Sequence, residues 1–81
     1  MKTEKRYFLK AYGYTYPDPE RLTLEEARKA LSEELQADAK ACRRRYGKAV
    51  VYRTSRNCGR VLLGRDLQSA LWSAWSIQPL F

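Results

Sequence analysis

The hydrophobic positions change period along the chain. From Arg6 to Tyr16 they alternate by two: Phe8, Lys10, Tyr12, Tyr14 and Tyr16 share one face, and Tyr7, Leu9, Ala11, Gly13 and Thr15 the other. The run is rich in aromatics and stops at Pro17-Asp18-Pro19, which cannot continue a ladder. It predicts a strand whose small-residue face lets a helix approach closely. From Leu24 the step becomes three or four, and Leu24, Ala27, Leu31, Leu35, Ala39, Cys42 and Tyr46 define one apolar stripe. Thr23 and Glu26 have the spacing of a capping box. Glu25 and Glu26 suit the positive end of a helix dipole, Arg43, Arg44 and Arg45 suit the negative end, and Gly47 is a natural stop. The expectation is a helix over 24–46, about 34 Å long at ~1.5 Å per residue, whose arginine end reaches past the sheet.

Two short strands follow, over 48–54 and 60–63, around a hairpin loop Ser55-Arg56-Asn57-Cys58-Gly59. Val50 and Tyr52 oppose Ala49 and Val51, and Leu62 opposes Val61 and Leu63, so both faces are apolar and both call for cover. The helix covers one. For the other the candidate is the C-terminal segment LQSALWSAWSIQPLF, which has no charge. Asp66 suits the cap of a short helix over Leu67 to Ser76, with Leu67, Leu71, Ala74 and Trp75 on one side and Pro79 at its end. A strand is the alternative, but simple alternation would then point Trp72 and Trp75 to opposite faces. The predicted fold class is α+β: a small antiparallel sheet of about three strands on one long helix, with a short C-terminal Trp-containing helix (β-α-β-β-α). One domain covers residues 1–81, near the lower size limit for independent folding. A partner or a second copy can complete so small a core, so a homodimer through the Trp segment is among the expectations.

Charge changes the picture most. The net charge is +7. Residues 1–41 carry eight cations and eight anions, whereas residues 42–81 carry eight cations and a single anion, Asp66. The eight are Arg43, Arg44, Arg45, Lys48, Arg53, Arg56, Arg60 and Arg65. Arginine presents a planar fork of donors that matches phosphate and carboxylate, so this half reads as a surface for a polyanionic partner: a nucleoprotein complex, nucleic acid or an acidic protein face. If these groups converge, each neutralised duplex phosphate adds about 0.9 to the salt slope of binding. Tyr12, Tyr14 and Tyr16 are candidates for stacking on unpaired bases. Trp72 and Trp75 are candidates for an interface or for cover of the core.

Catalysis has few candidates. There is no histidine, no carboxylate pair at a useful spacing and no Gly-rich phosphate loop. Glu33, Glu34 and Asp38 lie mostly off the apolar stripe and read as a solvated helix face. Cys58 has no base to activate it, and Cys42 reads as a small buried residue. No metal site, cofactor, small-molecule substrate or enzymatic activity is expected. The N-terminus lacks a signal-peptide core and no stretch approaches a membrane span, so the expected location is cytoplasmic and a membrane partner is not expected.

The order of a strand, a helix opening LTLEEARKAL, a GKAVVYRT strand and a GRVLLGR strand resembles small phage-encoded proteins of the type I anti-CRISPR kind. The resemblance covers residues 6 to 65 at the level of pattern, and it assigns no residue a role. It implies a compact, non-enzymatic α+β inhibitor in a bacterial host cell, occupying the surface with which an effector complex grips target DNA or guide. The basic second half departs from acidic, DNA-mimicking inhibitors. The expected function is therefore a phage or mobile-element protein that engages a nucleoprotein complex through its arginines, an anti-CRISPR inhibitor blocking target DNA binding being the specific form. The alternatives are a small nucleic-acid-binding or regulatory module, and a structural component of a larger assembly.

Overall fold

A computed structural model describes residues 4–64 and 70–80. The elements run β1 (Tyr7–Ala11), α1 (Leu24–Tyr46), β2 (Val50–Ser55), β3 (Cys58–Leu62) and β4 (Leu71–Pro79). The four strands form one antiparallel sheet in the order β1-β4-β3-β2.

The helix begins and ends where its sequence signals stand. Thr23 Oγ1 accepts the Glu26 backbone N–H at 3.1 Å and Glu26 Oε1 accepts the Thr23 N–H at 2.8 Å. That backbone donor, foremost, holds the Glu26 carboxyl below its ordinary pKa. At the other end Gly47 takes the left-handed conformation, φ 82°, and donates to the Arg43 carbonyl. The stripe is buried as the periodicity requires: Ala27, Leu31, Leu35, Ala39 and Cys42 are all inside. They pack on Val61 and Ile77, with Tyr7, Leu9, Val51 and Trp75 around them. Full burial of Leu31, Leu35 or Val61 stabilises the chain by roughly 1.5–3 kcal/mol each.

The C-terminal segment differs from its expectation. It is a strand, not a helix, so the sheet has four strands rather than three, and no second helix is present among the described residues. Asp66 and Leu67 to Ser69, the proposed start of that helix, lie outside the described residues. β4 inserts between β1 and β3, pairing Leu9 with Ile77 on one side and Gly59 with Trp75 on the other. A register shift resolves the objection to a strand: Leu62 faces Leu71 while Val61 faces Ser73, so Trp72 is an extra residue at a bulge. Both tryptophans therefore pack against the helix-side core although they are three residues apart.

The first strand is shorter than expected. It ends at Ala11, where Gly13 (φ 85°) and a Tyr14 N–H bond to the Ala11 carbonyl turn the chain. Tyr16 folds back, its hydroxyl accepting the Ala11 N–H at 3.2 Å and its ring 6.0 Å from Phe8. With the mutual backbone bonds of Tyr7 and Leu22, this covers the outer edge of β1. The face division within the strand holds: Tyr7 and Leu9 point to the helix. The hairpin is also tighter than expected, its turn being Arg56-Asn57, with Cys58 already in β3.

The helix packs tightly on the sheet at Gly59, where a Cβ would collide with Leu35 Cδ1 and come within 3.2 Å of Arg53 Cδ. Gly59→Ala should cost about 1–3 kcal/mol by overpacking, and Leu35→Ala about 2–5 kcal/mol by opening a cavity. Because the added methyl enters the space the leucine vacates, the double variant should be at least ~1 kcal/mol more stable than the sum of the singles implies. Chemical denaturation checks this, and additive losses would contradict the contact.

Candidate polyanion-binding surface

The seven described candidate cations do not form one patch. Arg43, Arg44 and Arg45 occupy the last turn of α1, and Lys48 follows the Gly47 stop. All four are exposed, and the Lys48 carbonyl accepts the Cys42 thiol at 3.5 Å, fixing the chain as it leaves the helix. The hairpin turn lies at the opposite end. Asn57 Oδ1 accepts Arg28 Nε at 3.2 Å, which brings the turn beside the first half of the helix. Arg28 and Arg43 are separated by roughly 22 Å along the axis at ~1.5 Å per residue. The condition of convergence stated for the charges is therefore not met: β2 runs away from the helix end and carries Arg53 and Arg56 with it.

The hairpin arginines have different tasks. Arg53 stands opposite Gly59 on the helix side of the sheet, and its Nη2 donates to the Arg56 carbonyl at 3.2 Å, so it braces the turn. Arg56 is exposed at the turn itself. Arg60 stands opposite Tyr52 and Ala74 on the face turned away from the helix. Arg65 lies outside the described residues. Among the described residues no carboxylate forms an ion pair with any of these cations; the pairs present are Lys5 with Glu26 and Arg6 with Glu4, in the balanced first half.

The aromatic candidates gather in part. Tyr46 packs edge-on against Trp72, ring centroids 5.6 Å apart, and Arg45 lies 5.6 Å from the Tyr46 ring. The arginine end is thus tied to β4 rather than projecting freely. Tyr12, Tyr14 and Trp72 line a groove of about 360 Å³ beside Asp38. Tyr12 and Tyr14 are 76% and 67% exposed. They are not a strand face with Tyr16, because β1 has ended and the chain has turned; Tyr16 covers Phe8 instead.

Asp38 departs from its expectation as a solvated helix residue. One carboxylate oxygen accepts from both Ser73 Oγ and Trp75 Nε1, each at 2.7 Å, so it clamps α1 to β4. Helical spacing alone hid this, because its partners lie in the segment read as a second helix. Arg28 was also missed; its chance signal was only its place beside the stripe. No group of three or more potential metal-ligating side chains occurs among the described residues, nor does any helix long and apolar enough to cross a membrane. Both cysteines are free thiols.

Comparison with protein-family models, curated proteins and solved structures finds no match to this chain.

If Asp38 is a clamp, Asp38→Ala leaves the Trp75 N–H without its partner in a half-buried site and should cost about 1–3 kcal/mol. Tryptophan emission should shift, while binding through the arginines should persist at temperatures where the variant is folded. An unchanged melting temperature would contradict the clamp.

Proposed function

We propose that this chain is a non-enzymatic binding protein of the phage or mobile-element kind that engages a nucleoprotein complex through its arginines. The observation that carries the reading is that Arg43, Arg44, Arg45, Lys48, Arg56 and Arg60 are exposed and have no ion-pair partner among the described residues. Unpaired arginines held on a well-anchored helix end present their donors without a competing carboxylate, which suits a phosphate backbone. The dipole at a helix C-terminus opposes an anion, so the side chains themselves must provide the attraction. Blocking of target DNA binding, as in the anti-CRISPR inhibitors the element order resembles, is the form this role takes in the cytoplasm of a bacterial host. The free thiols fit a reducing compartment.

A second reading, a small nucleic-acid-binding module, is favoured by the face on which Arg60 stands. That face is covered by no described element.

Capture of partners from host lysate, with and without nuclease, separates the two. Retention of one nucleoprotein complex after nuclease supports the inhibitor. Loss of every partner after nuclease supports the module and contradicts the inhibitor. In either case the double variant Arg43→Glu, Arg45→Glu should weaken binding at least tenfold at physiological salt. Undiminished binding would remove the helix end from the surface.

A further inference from the structure

The side of the sheet away from α1 has a definite chemistry. Register places Phe8 and Lys10 of β1, Ala74, Ser76 and Gln78 of β4, Cys58 and Arg60 of β3, and Tyr52 of β2 on it. Three side chains of the two inner strands, Ala74, Ser76 and Cys58, are small. They form the floor of an open depression of about 320 Å³, bounded by Lys10 and Tyr12 on one side and by Arg60 and Thr54 on the other. Among the described residues no carboxylate lines it. Gln78 Nε2 donates to Ser76 Oγ at 2.9 Å, which leaves the Gln78 carbonyl and the Ser76 hydroxyl proton for a ligand.

We infer that this depression is a binding site for an unpaired nucleotide of single-stranded nucleic acid, its base lying on the Ala74–Ser76 floor beside the Tyr12 ring and its flanking phosphates held by Lys10 and Arg60. The inference rests on the polyanion reading for the class of partner, and adds the site and the state of the strand. Charge complementarity argues for an anion, since two cations, Lys10 and Arg60, flank the depression and no described acid lines it. The flat floor, the exposed tyrosine and the neutral donors and acceptors argue for a base rather than a bare phosphate. A duplex is excluded by shape: its bases are stacked and paired, and a shallow sheet floor cannot reach them. The volume is at the low end of the ~300–1,000 Å³ of ligand sites, enough for one base and its sugar.

Cys58 makes the site directly testable in the native protein. Cys42 is fully buried, so a thiol reagent under native conditions reads Cys58, in the floor of the depression. A short oligothymidylate should slow Cys58 alkylation at least tenfold at saturation, and a duplex of equal length at the same concentration should not. Tyr12→Ala and Arg60→Ala should each weaken oligothymidylate binding about tenfold, Arg60→Ala with a shallower salt dependence and Tyr12→Ala with an unchanged one. The Arg43→Glu, Arg45→Glu variant should retain Cys58 protection once saturated. Binding of the single strand with unaltered Cys58 reactivity, or with unaltered affinity in both rim variants, would overturn the site while leaving the polyanion reading intact. Failure of the wild-type protein to bind single strands, duplex or a nucleoprotein complex would overturn both.

Discussion

The pairing of β4 with β1 on one side and β3 on the other joins the first and last parts of the chain, because β1 and β3 have no backbone contact with each other in the sheet. The helix depends on the same strand. Asp38 reaches down to Ser73 and Trp75, and Tyr46 packs on Trp72, so α1 is held to β4 at two points more than a turn apart. The absence of charge at the helix-facing positions of β4 acquires a physical reason here. An inner strand has a neighbour on each side and its helix-facing residues in the core, and an ionised side chain pointing into that core would be costly without a partner.

That placement decides what the other face of the sheet is. With the C-terminal segment inside the sheet rather than across it, no described element lies over Ala74, Ser76, Cys58 and Arg60. The same strand that completes the core therefore leaves a basic and aromatic surface open. The positive charge is spread along the length of the molecule rather than on one face: Arg43, Arg44, Arg45 and Lys48 at the helix end, Arg56 at the hairpin turn whose Asn57 bonds Arg28, and Arg60 between them on the face away from the helix. A chain of phosphates can follow such a path, whereas a compact anion can touch only one part of it.

The helix was legible in the sequence because three independent signals agree on it: the capping box at Thr23 and Glu26, the stripe from Ala27 to Cys42, and Gly47 after the arginines. The face division of β1 was legible from alternation alone. β4 was not, because Leu, Ala, Ser and Gln suit helix as well as strand, and the bulge at Trp72 breaks the period by which a strand is recognised. Tyr12 and Tyr14 continue the β1 alternation in sequence, yet the turn at Gly13 removes them from the strand. The arginines were legible as charge; their division between two ends was not, since it depends on which end of β2 meets the helix.

The account's claim is that an extended phosphate chain engages cations at both ends of the molecule. Its most direct measure is the salt dependence of affinity for single strands of increasing length. Each phosphate neutralised on a single strand contributes about −0.7 to the slope of log K against log salt, so engagement of Lys10 and Arg60 at the depression alone predicts a slope of about −1.4. Strands long enough to pass the roughly 22 Å between Arg43 and Arg28 should steepen it toward about −5 as the four cations of the helix end and Arg56 join. A slope that stays at its short-strand value as length increases, or one near zero at every length, would contradict the claim.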